Sequence, residues 1–286
     1  MKGLGLKTLL SSVLEPSELR LLANGYDVVG DIAVLRIPET LEYKSSLVAE
    51  AIMQTNKHVK TVLCQVSPIA GTMRLRTLKW IRGEKKTETL HKEAGCIFKV
   101  DLTQSYFSPR LSYERMRIAR QVKPHEVIVN MFAGVGCFSI IIAKYAEARS
   151  VYSVDINPAA IRYAEENARL NRVDGIVEPI SGDAKEIVER RLRNVADRVL
   201  MPLPEEAYDY MDCAVSALKP EGGWVHYYDF VHAARDEEPV EKVRDKVSEK
   251  MRNLGLRFEV PTARIVRPVG PRWFQIVLDI LVRDKS

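Results

Sequence analysis

Residues 127–158 read VIVNMFAGVGCFSIIIAKYAEARSVYSVDINP, and the fold follows from this stretch. It starts as an apolar strand and passes through a glycine loop, Phe132-Ala133-Gly134-Val135-Gly136. It then reads as a helix and as a second strand that ends in Asp155. Glycines at a strand-to-helix turn let the backbone approach a ligand with no Cβ in the way. An acidic residue at the tip of the next strand is suited to accept hydrogen bonds from ribose hydroxyls. The dinucleotide fingerprint GxGxxG is incomplete, because Ser139 stands where its last glycine would be. A pyrophosphate needs room at the helix N-terminus. The tighter loop followed by an aromatic residue therefore suits a nucleoside without phosphates.

Downstream, strands at 176–180, 198–203 and 222–228 alternate with helices at 158–171, 184–193, 205–218 and 240–254. This alternation predicts a mostly parallel, doubly wound α/β sheet. Two final strands, 258–267 and 273–282, have no helix between them and predict an antiparallel closing hairpin. Asp155, Asp183 and the run Met201-Pro202-Leu203-Pro204 fall at successive strand ends, the edge where open α/β sheets bind ligands. Taken singly, the two aspartates read as helix caps. Their shared edge favours a ligand.

Upstream the pattern differs. Residues 3–23 have helical spacing broken at Pro16, and 26–37 (YDVVGDIAVLRI) reads as a hairpin turning at Gly30-Asp31. A helix at 44–56 and strands at 61–66, 72–81, 87–90 and 96–101 follow. The expected organisation is a helical extension at 1–20, a small α+β domain at 21–110 and a nucleoside-binding domain at 111–286, entered through a helix at 112–120.

Charge divides along the same line. Residues 1–120 hold 19 Lys and Arg against 12 Asp and Glu, and the remainder 24 against 26. A basic front half joined to a nucleoside-binding half suits a polyanionic substrate such as nucleic acid. The alternative, a solvated basic surface, has comparable weight on charge alone. Arg76, Lys79, Arg82, Lys85 and Lys86 alternate as if to face one side of a hairpin and are expected to meet RNA phosphates. The four cysteines form no CxxC pair, which argues against a zinc site or a disulfide framework and for a reducing cytoplasm. No apolar run is long enough to span a bilayer.

FAGVG, VYSVDINP, SGDA and ADRVLMPLP resemble the cofactor motifs of class I S-adenosylmethionine-dependent methyltransferases. GTMRLRTLKWIRGEKKTETLHKEAG and YFSPRLSYERMRIA resemble segments of the archaeal and eukaryotic tRNA guanine-37 N1-methyltransferases, and are the more specific part. The resemblance implies S-adenosylmethionine bound by Phe132, Gly134, Gly136, Asp155, Ile156, Asp183 and Ala184, with no metal. It implies a tRNA anticodon stem-loop as partner and a cytoplasmic monomer. Guanine N1 carries a proton at neutral pH, so its methylation needs a base and a donor for the charge that builds on O6. By resemblance the base is Glu114, made more basic by burial, and the O6 donor is Arg74 on its strand segment. Tyr106 and Arg110 would position the nucleotide, and Arg115 would meet a phosphate or the cofactor carboxylate. Without the resemblance, Glu114 reads as a helix-surface partner of Arg117 or Arg110.

Three departures qualify this reading. Asn130 stands where the family has aspartate before the glycine loop. Pro202 replaces the asparagine that usually faces the target base, and proline offers neither a side-chain donor nor an N–H. Some archaeal relatives that also methylate C7 of a tricyclic wyosine intermediate depart at this position too, which makes that a candidate second activity. Finally, the family's N-terminal module that touches the tRNA elbow is expected to be absent. Two alternatives stay open: a wyosine-pathway aminocarboxypropyl transferase, and a non-catalytic tRNA-binding protein. His226 and the aromatics beside it, residues 224–228, are read as packing. The site is expected between the two domains.

Overall fold

The computed structural model describes residues 6–11, 13–22 and 25–285. Residues 3–5, 12 and 23–24 of the expected opening segment lie outside the described residues. The chain divides into two compact units between Ser112 and Tyr113.

In the first unit, two short helices, α1 (Leu6–Leu10) and α2 (Pro16–Leu21), are separated at Pro16, which opens α2 in the first-turn position that tolerates a missing N–H. Strands β1 (Asp27–Val29) and β2 (Ile32–Leu35) form the expected hairpin, with Val29 opposite Ile32 and Gly30-Asp31 in the turn. Gly30 has φ +55°, and a Cβ there would come within 2.5 Å of the Leu90 carbonyl oxygen, so the position requires glycine. Helix α3 (Ser45–Thr55) returns the chain so that β3 (Thr61–Gln65) pairs parallel to β2. It buries Val48, Ala49 and Ile52 in a cluster with Ala33, Leu35 and Val62. Strand β4 (Leu78–Gly83) completes a sheet of order β1-β2-β3-β4, while β5 (Glu88–Glu93) and β6 (Cys96–Asp101) form a separate antiparallel pair.

The expected strand at 72–81 is shortened to β4, which begins only at Leu78. Ala70 and Leu75 exchange backbone hydrogen bonds at 3.0 and 3.1 Å, closing a tight turn. Arg74 sits in that turn with φ +54°. The alternation of residues 72–77 resembles a strand, but Gly71 at φ +72° reverses the chain before one can extend.

The second unit opens with α4 (Ser112–Ala119). Its strands are β7 (Val127–Asn130), β8 (Ser150–Asp155), β9 (Val177–Ser181), β10 (Arg198–Met201), β11 (Gly223–His232), β12 (Phe258–Gly270) and β13 (Trp273–Val282). The sheet order is β12-β13-β11-β10-β7-β8-β9. From β9 to β11 all neighbours are parallel, and β13 pairs antiparallel to β11 and β12, as expected. The chain leaves β7 first toward β9 and then returns to β10 on its other side. That reversal creates a switch point at the carboxyl ends of β7 and β10.

Helices α5 (Cys137–Tyr145), α6 (Pro158–Leu170), α7 (Ala184–Ile187), α8 (Met211–Ala217) and α9 (Pro239–Asn253) complete the unit. Two expected helices are shorter than their apolar spacing implied. α7 passes into a π turn at Val188–Leu192, and α8 follows a 3-10 turn at Ala207–Tyr210. Val129, Val199 and Val225 on three adjacent strands are fully buried against Ala214, Val247 and Leu278. Each such side chain stabilises the unit by about 1.5–3 kcal/mol.

Candidate active site

The carboxyl edge of the second sheet gathers the nucleoside-site residues. Asn130 ends β7 fully buried, and its amide donates to Ser139 Oγ at 3.1 Å. Ser153 on β8 donates to the same Ser139 oxygen at 2.6 Å. The serine that breaks the dinucleotide fingerprint thus ties three elements together beneath the loop. Asn130 donates here through an N–H that an ionised aspartate lacks, and its Oδ1 is buried without a hydrogen-bond partner.

Above this floor, Gly134 (φ +55°) and Gly136 (φ +86°) take left-handed conformations. A Cβ on Gly136 would come within 3.1 Å of Ile140 Cδ1 and 3.4 Å of Ala164 Cβ, so glycine here lets α5 and α6 approach. Asp155 Oδ2 accepts from the Gly134 N–H at 2.7 Å, and Oδ1 from the Asn157 N–H at 2.9 Å. Burial pushes the Asp155 carboxyl above its ordinary range, against the pull of those two N–H groups. Asp183 caps α7 through the Lys185 N–H at 2.7 Å and accepts from the Tyr210 hydroxyl at 2.7 Å. Tyr210 meets the Phe132 ring edge-on at 5.1 Å. The cap reading and the ligand reading of these aspartates are therefore compatible, since each carboxylate retains acceptor capacity beyond its backbone bond. Ile156 is exposed, Ala184 is buried at the start of α7, and Pro202 follows β10 at the switch point.

These groups fit an adenine nucleoside. Asp155 supplies an acceptor for a diol, Asp183 one for an exocyclic amine, and Ile156 and Phe132 apolar surface for a base. Among the described residues, no group of three or more His, Cys, Asp or Glu is placed to hold a metal.

A second constellation lies on the same unit. Glu114, in the first turn of α4, is 1% exposed, and its carboxylate receives three side chains. Arg117 donates from Nε and Nη2 at 2.7–3.1 Å, the Tyr228 hydroxyl donates at 2.7 Å, and Arg264 Nη2 donates to Oε2. Two guanidinium groups and one hydroxyl thus converge on a single carboxylate.

Arg117 also reaches Asp279 at 2.5 and 3.0 Å, and Asp279 accepts from Gln121 at 3.0 Å. His226 Nδ1 lies 2.6 Å from Asp279, and its Nε2 lies 2.6 Å from Arg198 Nη1. Arg198 continues to Glu126 at 2.8 Å. Burial lowers the His226 pKa, so the ring is neutral, and because arginine only donates, Nδ1 carries the proton. Burial opposes charge on Asp279, yet His226 and Arg117 hold its carboxyl well below the ordinary range. A continuous network of side chains thus runs from Arg264 to Glu126, with neutral His226 between Asp279 and Arg198.

Sequence reasoning missed Tyr228, Arg264, Asp279 and Tyr210, and read His226 as packing. The segment 224–228 looked like core because its alternation matches a buried strand. Tyr228 and His226 are buried on that strand, with polar ends that carry hydrogen bonds. Arg115 is also buried, 6.0 Å from the Phe138 ring centroid.

In the first unit, the Arg74 guanidinium lies 5.1 Å from the Tyr106 ring centroid, which brings two of the expected substrate residues together. Arg110 is paired with Asp27 at 2.6 Å. The expected basic face is largely neutralised. Lys79 pairs with Glu42, Arg82 with Glu50 at 3.5 Å, and Lys86 with Asp31 at 2.7 Å and Glu84 at 2.8 Å. A register shift opposite Val62 and Leu63 breaks the alternation on which the single basic face depended. Lys85 lies over the exposed Trp80 ring at 5.4 Å, and Arg76 donates to Gln65 at 3.4 Å.

Residues 89–255 match the TRM5/TYW2 methyltransferase domain, and residues 6–87 match the TYW2 N-terminal domain. The tRNA (guanine(37)-N(1))-methyltransferase Trm5b of Pyrococcus abyssi is 41% identical, over 93% of this chain and 78% of its own length. Its crystal structure superposes with a TM-score of 0.84 at 40% identity, over 95% of this chain and 79% of that one. The tRNA 4-demethylwyosine(37)-methyltransferase Taw21 of Saccharolobus solfataricus is 38% identical, over 89% of this chain and 92% of its own length. The structure of Pyrococcus horikoshii TYW2 in complex with MeSAdo has a TM-score of 0.78 at 28% identity, over 98% of each chain. The chain is a member of the TRM5/TYW2 family of S-adenosylmethionine-dependent tRNA-modifying enzymes.

Proposed function

We propose that this protein methylates N1 of guanine 37 in tRNA, using S-adenosylmethionine. The observation that carries the reading is Glu114: a buried carboxylate held by Arg117, Tyr228 and Arg264, in a unit with a nucleoside site and in a chain 41% identical to a Trm5b. Asp155 would take the cofactor ribose, Asp183 the adenine amine, and Phe132, Gly134, Gly136, Ile156 and Ala184 would line the cofactor. The cofactor supplies an electrophilic methyl group. Glu114 takes the N1 proton, and Arg74, steadied over Tyr106, donates to O6 as negative charge builds there. Arg110 and Arg115 bind the substrate backbone, and Pro202 borders the base.

A second reading, methylation at C7 of the tricyclic 4-demethylwyosine base at the same position, is favoured by two observations. Residues 6–87 match the TYW2 N-terminal domain, and Pro202 leaves the base edge without a side-chain donor. Aminocarboxypropyl transfer is the remaining alternative, since the enzyme of that activity from Pyrococcus horikoshii is 30% identical over 99% of both chains.

The test is mass analysis of tRNA after incubation with labelled cofactor. One tRNA carries unmodified G37 and a parallel one the tricyclic base. Methyl addition to G37 supports the first reading and methyl addition to the tricyclic base the second. The mass of an aminocarboxypropyl group on either tRNA, or no product on both, would overturn methyl transfer.

A further inference from the structure

Glu114 meets more donors than a working base can keep. A carboxylate about to accept a proton from guanine N1 needs an oxygen open to that N–H. Here Oε1 receives Arg117 and Tyr228, and Oε2 receives Arg117 and Arg264.

The three donors differ in how firmly they are held. Tyr228 is 1% exposed on the long central pairing of β11 with β13. The Arg117 side chain is 13% exposed and is shared with Asp279 through two more hydrogen bonds. The Arg264 side chain is 30% exposed, has no second carboxylate partner among the described residues, and otherwise lies 5.6 Å from the centroid of the exposed Tyr113 ring. Its remaining polar contact is a 3.4 Å bond from Nη1 to the adjacent Ile265 carbonyl. It also lies on β12, whose pairing with β13 slips between Ile265 and Arg267. A slipped, partly exposed strand lets a side chain change partners more cheaply than a regular buried one. Arg267 and Arg272 follow on the same hairpin, so an arriving polyanion meets three cations there.

We propose that Arg264 is an exchangeable cap on the base. Between turnovers its guanidinium holds Glu114 Oε2, and on substrate binding it transfers to a phosphate of the RNA backbone. Oε2 is then open to take the proton from guanine N1, leaving the lone pair on N1 for bond formation. Arg117 and Tyr228 stay in place and keep the carboxylate oriented. Arg264 is therefore a positioning residue, and the cap couples proton removal to RNA engagement. The proposal rests on Glu114 being the base.

The test uses the full chain with G37 tRNA and compares wild type, Arg264→Ala, Arg264→Lys and Glu114→Gln. Calorimetric binding of S-adenosylmethionine verifies that each variant is folded. The charged and titratable groups that hydrogen-bond to Glu114 are Arg117 on α4, Tyr228 on β11 and Arg264 on β12, with Asp279 on β13 linked through Arg117. Removing one cation from this set should move the acidic limb of the kcat/KM profile of Arg264→Ala upward by about one pH unit or more. Loss of the phosphate contact should reduce the salt slope of tRNA binding by about one contact. Arg264→Lys should restore both. If Arg264→Ala fails to bind cofactor, Arg264→Gln is read in the same way, since it too lacks the charge.

A folded uncharged variant with an unmoved acidic limb, or with an unchanged salt slope, overturns the cap. Glu114→Gln separates this failure from that of the base. An inactive Glu114→Gln with an unmoved Arg264→Ala limb removes the cap alone, whereas a Glu114→Gln with wild-type turnover removes both.

Discussion

The Tyr228 hydroxyl donates to Glu114 Oε1 at 2.7 Å, joining residues 114 positions apart in the chain. Burial first, and the Glu114 charge second, raise the Tyr228 pKa well above its ordinary value, so the phenol remains a donor across the working range. Tyr228→Phe keeps the ring and removes that donor. Turnover should fall about tenfold or more, and stability by about 1.5–3 kcal/mol, the cost of losing a hydrogen bond to a charged group. Single-turnover methylation and denaturant unfolding measure the two effects. Wild-type values in both would remove Tyr228 from the site.

Arg117 joins Glu114 to Asp279, and both carboxylates are 1% exposed. Arg117→Ala would leave two buried acids without their shared cation. The expected loss is about 3–5 kcal/mol, larger than for any single neutral partner. Arg117→Ala in an Asp279→Asn background should cost less than the sum of the two changes, which a double-mutant cycle in urea would read.

His226 ties stability to pH. Its folded-state pKa lies below the ordinary 6.5, chiefly through burial. The unfolded chain therefore binds a proton that the native protein refuses. Its contribution is complete above about pH 6.5 and is lost at about 1.4 kcal/mol per pH unit below it, until the folded-state value is reached. His226→Gln should flatten the dependence of unfolding free energy on pH between about 6.5 and 5. A mutant curve that keeps the wild-type slope in that window would place the titration elsewhere. Asp279, with its pKa depressed, acts in the same direction, but its contribution is lost only as pH falls below about the ordinary 3.8.

Asp155 has two tasks, bracing the Gly134 N–H and offering an acceptor to a ribose. Asp155→Asn keeps one acceptor oxygen for the brace but loses the charge. Cofactor affinity should fall at least tenfold by calorimetry, with little change in thermal midpoint. Asp155→Ala should lower both. Equal cofactor affinities for wild type and Asp155→Ala would contradict the ribose assignment.

The second unit was legible because parallel strands, glycines and strand-end acids each leave local marks in sequence. The glycine loop, Asp155, Asp183 and the closing hairpin all lie where their spacing predicted. Arg74 was assigned to a strand because residues 72–77 alternate, but the left-handed backbone at Gly71 and Arg74 leaves no mark in hydrophobic periodicity. The basic face was overestimated for a related reason. Its partners Asp31, Glu42 and Glu50 lie far away in sequence, and charge counting cannot pair them with Lys86, Lys79 and Arg82. Arg264 and Asp279 escaped notice because only the antiparallel pairing of β12 with β13 and of β13 with β11 brings them to Glu114.

The side-chain network from Arg264 to Glu126 also restricts how this chain can change. Replacing any one charged member strands an opposite charge, whereas replacing oppositely charged neighbours together can preserve neutrality. Viable sequences are thus expected to exchange these positions in pairs: Glu114 with Arg117 or Arg264, and Asp279 with Arg117. The glycine loop can serve many substrates in other enzymes, but the base proposed for this chain, Glu114, is tied to the last two strands of its sheet. Grafting the Glu114 segment onto another cofactor domain would therefore require moving the closing hairpin with it.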